Sequence, residues 1–298
     1  MLRHPLASPA VRVYVSVDME GISGVTRWAD VVTRGQDYQT ARRWMTADVN
    51  AAIAGARTAG ATEFVVEENH GTEMLCNLLL DEIDPDVDVV RGQPRAGATT
   101  MWALDGSFDA VFLVGHHASS GDYPGICAHT ISYTHYKDVR MDGRSLSEGE
   151  MFALAAAQCG VPTALIAGDD VVTGILQKLC PTIEAAVVKR AISREGAVIV
   201  PPARARRIIH DAAGRAVERV QAGLVDAPEP HPPFRIEVEL RQPVNDDVRA
   251  TVEQRFAEFT ISGENRVFAF SADAMTKAFR MAAIVQFLSE SPDQVRAY

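Results

Sequence analysis

The chain has 298 residues, a hydrophobic fraction of 47% and a formal net charge of -10 from 29 basic and 39 acidic side chains. That length and apolar content suit one large α/β domain or two smaller ones, and they argue against a disordered chain. The acidic balance argues against a nucleic-acid partner or an anionic membrane surface, and no stretch approaches the roughly 18 apolar residues of a membrane span.

Met1 to Ala10 carries Arg3, His4 and two prolines but no apolar core, so no secretory signal is visible and the expected location is cytoplasmic. The valine-rich run Val11 to Val17 predicts a buried strand. Tyr38 to Ala59 predicts a helix, with Ala41, Met45, Val49, Ala52 and Ala56 three to four apart and Gly60 where a helix end favours glycine. Glu63 to Glu67, Val87 to Val90 and Ala110 to Gly115 predict further strands. Glu148 to Gln158 is expected as a helix, Pro162 to Ala167 as a strand and Asp170 to Leu179 as a helix. Strands alternating with helices imply an α/β fold with a mainly parallel central sheet flanked by helices.

The second half reads differently. Arg204 to Gln221 predicts a basic amphipathic helix, and the proline-rich Asp226 to Pro233 a connecting loop. Arg235 to Leu240 alternates as a half-exposed strand does, Val267 to Phe270 suits a partner strand, and Ala272 to Ser289 a closing helix. The expected division is a catalytic α/β portion over 1–195 and a smaller C-terminal α+β portion over 196–298. The boundary is soft and compatible with the two packing as one unit.

Three of the expected strands run into residues that ligate metals: Asp18 and Glu20, then His70, then His116 and His117. Ligands in open α/β sheets bind outside the carboxyl ends of strands, so parallel strands would bring Asp18, His70 and His117 to one edge. Asp18 and Glu20 are two apart and share a direction if the strand geometry persists. Two neighbouring carboxylates repel, and a divalent cation balances them. Oxygen and imidazole donors suit zinc, with manganese or cobalt as alternatives.

Each residue also has a plainer reading. Asp18 alone suits a turn or a cap, Glu20 a solvated loop, and a single histidine a hydrogen-bonded structural role. His116 and His117 are neighbours in an extended segment and face opposite ways, so both are not expected as ligands. His129, in a glycine-bearing loop, suits proton transfer or stabilisation of substrate charge, or else an ordinary surface histidine. Glu148 suits either the first turn of a helix or a further ligand. Asp169 and Asp170 read as a turn and a helix cap, and His4, His135, His210 and His231 as incidental. The scattered cysteines Cys76, Cys127, Cys159 and Cys180 read as free thiols. The glycine pattern of a dinucleotide site, the serine elbow, the phosphate loop and the H-E-x-x-H helix do not occur.

The string Ser16-Val17-Asp18-Met19-Glu20-Gly21-Ile22-Ser23-Gly24 resembles that of the D-aminopeptidases of peptidase family M55. So do Asn69-His70, Gly115-His116-His117-Ala118, Pro124-Gly125 followed by His129, Arg144 to Glu148, and Ala167-Gly168-Asp169-Asp170. The resemblance extends over almost the whole chain. It implies two zinc ions per chain, held by Asp18, Glu20, His70, His117 and Glu148, with Asp18 bridging. It also implies a catalytic His129, described in the family as a nucleophile, and a ring-shaped homodecamer of stacked pentamers. On chemical grounds a water activated by the metals is the more economical nucleophile, leaving His129 to donate a proton or bind the oxyanion. The loop between His117 and His129 is one residue longer than the family pattern, and Glu67-Glu68-Asn69 is more acidic.

The resulting expectation is a zinc-dependent aminopeptidase or amidase. It would act on short peptides or amino-acid amides with a D-residue preference and form a homo-oligomer. The rival readings are a non-catalytic peptide-binding protein linked to uptake and, more distantly, a nicotinamide-dependent oxidoreductase.

Overall fold

The valine-rich run forms β1 (Val11–Val17), which sits inside a seven-stranded sheet and is almost wholly buried. The computed structural model describes residues 10–95 and 100–290. Among these, the further strands are β2 (Ala61–Glu68), β3 (Asp88–Val90), β4 (Ala110–Val114), β5 (Tyr136–Met141), β6 (Arg144–Ser145), β7 (Thr163–Asp169), β8 (Glu184–Ser193), β9 (Gly196–Ile199), β10 (Phe234–Leu240), β11 (Thr260–Ser262) and β12 (Val267–Ala272). The helices are α1 (Trp28–Val31), α2 (Tyr38–Thr58), α3 (Glu148–Gln158), α4 (Asp170–Leu179), α5 (Pro202–Gln221), α6 (Asp246–Arg255) and α7 (Met275–Glu290).

The large sheet has the order β3-β2-β1-β4-β7-β8-β9. All its pairs are parallel except β8 with β9. Strand alternation divides its side chains between two apolar clusters. Val13, Val15 and Val17 pack with Met45, Val49 and Ile53 of α2 and Ile209 and Val217 of α5. Tyr14, Val111 and Leu113 pack on the opposite face with α3 and with the second sheet. Each fully buried valine or leucine there is worth about 1.5–3 kcal/mol relative to exposure.

The second sheet is antiparallel, in the order β11-β12-β10-β5-β6. Contacts run across the 195/196 position in both directions. Strand β5, with β6 on its other edge, joins β10 of the later segment, while α5 packs on α2. The element ranges expected from the pattern match closely, but β5, β6, β8, β9, β11, α1 and α6 go beyond it. Among the described residues no helix is long and apolar enough to cross a membrane.

Strand order sets the position of the site. The chain leaves β1 toward β2 and β3 on one side, then returns to add β4 and β7 on the other. The carboxyl ends of β1 and β4 therefore flank the point where the winding direction reverses, and a crevice forms there.

Candidate metal centre

Asp18 follows β1 directly, and its N–H donates to Val114 O at 2.9 Å. The chain then turns sharply rather than continuing as a strand, and Gly21 N–H donates to Gly115 O at 2.7 Å. A Cβ on Gly21 would lie 2.0 Å from His116 O, and one on Gly115, whose φ is +76°, would lie 2.2 Å from Asp18 O. Only glycine lets the two strand-end loops pack back to back in this way. The turn, not strand alternation, brings Asp18 and Glu20 to the same side.

His70 ends β2's extension, tied by Asn69 N–H to Val17 O at 2.9 Å. Its Nδ1 lies 3.0 Å from Glu20 Oε2 and 3.4 Å from Asp18 Oδ1. His117, just past β4, places Nε2 3.3 Å from Asp18 Oδ2 and 3.4 Å from Glu148 Oε1. Glu148 opens α3 behind the Ser147 cap and also accepts Ile131 N–H at 2.7 Å. His129 Nε2 lies 3.9 Å from Glu148 Oε1. All six side chains are buried. Two ligand groups, Asp18 with Glu20 and His70, and Asp18 with His117 and Glu148, share Asp18. A third joins Glu20, His117 and His129.

The hydrogen bonds on the far side of each ring test whether a cation fits. His70 Nε2 faces Val31 O at 2.8 Å, His117 Nδ1 faces Ala118 O at 3.0 Å, and His129 Nδ1 faces Cys127 O at 2.9 Å. A carbonyl only accepts, so in each ring the proton sits on that nitrogen. In the neutral ring the other nitrogen then presents a lone pair to carboxylates that are themselves acceptors. His117 Nε2 is buried with no hydrogen-bond partner among the described residues. Lone pairs converging on carboxylate oxygens require a positive charge between them, and a divalent ion meets that need.

The electrostatics point the same way. Burial opposes ionisation of Asp18, but the close His117 and His70 imidazoles prevail and hold the carboxyl well below the usual range. Burial likewise opposes charge on His70 and His117. Glu20 and Asp18 at His70, and Asp18 and Glu148 at His117, raise both rings well above the ordinary value. His129 is lowered, first by burial and then by the neighbouring His117.

His116 is not part of this convergence. Its Nε2 pairs with Ser16 Oγ at 2.8 Å, its Nδ1 stands 4.0 Å from Asp18 Oδ2, and burial lowers its pKa. Ser16 Oγ also accepts from Asn69 Nδ2 at 2.9 Å, so the ends of β1, β2 and β4 are cross-linked behind the site. Asp169 caps α4 and, in addition, accepts Ile126 N–H at 2.8 Å, which fixes the loop before His129. His135 bonds to Ser132 and Thr134, His210 to Asp211, and His231 is exposed; His4 lies outside the described residues.

Several supporting residues carry no sequence signal. Lys189 on β8 is fully buried and donates to the carbonyls of Glu20, Ile22 and Val25. Three carbonyl acceptors need three N–H groups, so Lys189 is an ammonium there, although burial lowers it to about 8. Arg194, in the turn between β8 and β9, donates to Ala128 O at 3.1 Å and Ser120 O at 2.6 Å, bracing the His129 loop. Trp28 meets the His129 ring edge-on at 5.1 Å and stacks on Tyr133 at 3.8 Å. These rings form one wall of a cleft of about 300 Å³ over the cluster.

The family model of D-aminopeptidases, peptidase family M55, matches residues 11–284. A D-aminopeptidase of Bacillus subtilis (strain 168) is 29% identical over 208 residues, 70% of this chain and 74% of that protein. Among solved structures, the Zn-dependent D-aminopeptidase DppA from Bacillus subtilis, a self-compartmentalizing protease, superposes with a TM-score of 0.83 at 25% identity. It covers 94% of this chain and 98% of its own. With the match running through nearly the whole sequence, the chain belongs to peptidase family M55, the D-aminopeptidases, a family of hydrolases.

Proposed function

We propose that this protein is a zinc-dependent aminopeptidase or amidase that hydrolyses the amide bond of short peptides or amino-acid amides, with preference for a D-residue on the amino side. The observation that carries the reading is the convergence of three imidazole nitrogens on Asp18, Glu20 and Glu148 in one buried cleft. Two zinc ions per chain would be held by Asp18, Glu20 and His70 on one side and by Asp18, His117 and Glu148 on the other, with Asp18 common to both. Manganese or cobalt satisfies the same donor set. Zinc, when bound, supplies Lewis acidity toward the scissile carbonyl and toward water.

The protein's own groups do the rest. Asp18, Glu20 and Glu148 balance the cationic charge and fix its position. Val31 O and Ala118 O hold the His70 and His117 rings in the ligating tautomer. His129, kept neutral by burial and by its neighbour, offers Nε2 as the mobile proton site, while Cys127 O anchors Nδ1. Trp28 and Tyr133 exclude water from one side of that imidazole.

The four cysteines are free thiols, which suits a reducing compartment, and we place the protein in the cytoplasm. We also propose a closed homo-oligomer, a ring-shaped decamer, in line with the self-compartmentalizing relative. The test is a screen of D- and L-aminoacyl amides and dipeptides with zinc-loaded protein. Turnover abolished by chelator and restored by zinc is expected. A metal-loaded protein that cleaves none of them would remove the reading.

A further inference from the structure

A second cleft, of about 550 Å³, adjoins the metal cleft at Tyr133, which lines both. Although the chain as a whole is strongly acidic, this cleft is rich in cations: Lys137, Arg140, Arg194 and Arg241. Lys137 and Arg140 are committed to Glu239, at 2.7 Å each. Arg194 and Arg241 have no carboxylate partner among the described residues. Among the described residues the Arg194 guanidinium bonds to the carbonyls of Ala128 and Ser120.

Arg241 is held in place. Its Nε donates to Tyr133 O at 2.7 Å and its guanidinium lies over the Tyr133 ring, 5.1 Å from the centroid. Its backbone N–H is fixed to His135 O at 2.8 Å, and its carbonyl accepts from Arg266. Both Nη atoms are left without an acceptor among the described residues. A planar fork fixed through Nε and the ring face, with two free N–H edges, matches a carboxylate bidentately.

Distance adds a length requirement. The His129 and Tyr133 ring centroids are 6.5 Å apart, and the Arg241 guanidinium is 5.1 Å from the Tyr133 centroid. Those two steps set an upper limit on the gap between the proposed reaction centre and the fork. Extended residues span about 3.3–3.6 Å each, so up to about three residues bridge it.

We propose that this cleft is the far end of the substrate site, and that Arg241, backed by Arg194, binds the free C-terminal carboxylate of a tripeptide or tetrapeptide whose N-terminal amide bond lies over the metal cleft. The proposal rests on the hydrolytic reading above. It makes short peptides, not amino-acid amides, the preferred substrates.

The experiment compares kcat/KM of the zinc-loaded protein for the same tripeptide with a free and with an amidated C-terminus, alongside an amino-acid amide. A charge-assisted pair predicts a preference for the free acid of about ten- to a hundredfold, carried by KM and weakened by salt. In Arg241→Gln that ratio is expected to fall close to one, and in Arg241→Glu to invert. The ratio is taken within each protein preparation, so partial misfolding cancels. Equal use of both peptides by the unmodified protein, or an unchanged ratio in both variants, overturns the proposal. Absence of turnover on every substrate, the amide included, strikes the hydrolytic reading instead.

Discussion

His70 Nδ1 lies 3.0 Å from Glu20 Oε2 while Nε2 on the opposite edge of the ring lies 2.8 Å from Val31 O. The carbonyl claims one proton, so the carboxylates compete for whatever occupies the other nitrogen, a second proton or a metal ion. With Asp18 and Glu148 around His117 the same competition is set up again.

That competition predicts opposite pH trends with and without zinc. In chelator-treated protein, His70 and His117 have folded pKa values raised above the usual 6.5. Their contribution to stability is full below the unfolded value and is lost as pH rises through the folded one. Melting temperature of the chelated protein should therefore fall as pH climbs from about 6.5 upward. Zinc must displace those protons, so the rise in melting temperature on adding zinc should grow over the same window. Thermal melts at several pH values with and without zinc check this, and parallel curves would refute it.

Asp18 is the carboxylate common to two ligand groups, so its charge balances both proposed ions. Asp18→Asn keeps the shape and removes the charge. Metal content should drop from near two equivalents by at least one, with nearly all turnover lost and the fold retained. Elemental analysis with circular dichroism measures both, and wild-type metal content in the variant would place the centre elsewhere.

The adjacent histidines should differ. His117 Nε2 points into the cluster, whereas His116 Nε2 is bonded to Ser16 behind it. His117→Ala is expected to strip an ion outright. His116→Ala should weaken metal binding only about tenfold, the lower end of the range for partners outside the ligand set. Competition titration against a chelating dye separates the two, and equal losses would contradict the assignment.

Much of this geometry is legible in the sequence because the positions of Asp18, His70 and His117 are marked by the apolar runs that precede them. Glu20 is picked out by its spacing from Asp18, yet it reaches the site through a turn enabled by Gly21 and Gly115, not through strand alternation. The Tyr136–Met141 strand reads as mixed polar residues, since its inward positions pack on a sheet contributed by a segment about a hundred residues later. Helix α6 buries only Val248 and Val252, too few for a visible period. Lys189 is the least legible of all. A lysine is rarely buried without a partner, and its partners are backbone carbonyls more than 160 residues away.

Those carbonyls give Lys189 a measurable role. Lys189→Met preserves length and apolar stem but leaves the carbonyls of Glu20, Ile22 and Val25 without their donor. Unsatisfied buried groups cost about 1–3 kcal/mol each, so a loss of at least ~2 kcal/mol is expected. Because one of the three belongs to Glu20, zinc affinity should fall with it. Denaturant unfolding of the zinc-free protein isolates the stability effect, and a loss within ~0.5 kcal/mol, the scale of an ordinary surface substitution, would rule out the anchoring role.

The remaining prediction concerns His129, whose ring stacks on His117 at 4.1 Å and only 9° from parallel. Two face-to-face imidazoles cannot both be cationic at low cost, and burial together with His117 lowers the His129 pKa. A neutral ring anchored through Nδ1 to Cys127 O has a single site, Nε2, for proton transfer or for meeting the oxyanion. His129→Ala should then keep its metal and its substrate affinity while turnover falls about 10²- to 10⁴-fold, the scale of general acid–base and oxyanion contributions. Were His129 instead a covalent nucleophile, Nε2 would carry the acyl group. The variant would be inert, and wild-type protein quenched in acid during turnover of a slow substrate would show an acylated peptide containing His129. We expect no such adduct. The more decisive measurement is the residual rate of His129→Ala, which should remain chelator-sensitive and should respond to added imidazole, since a small base can replace a lost proton carrier. An adduct on His129 in the wild type, joined to an inert variant that imidazole does not rescue, would establish the nucleophile role in its place.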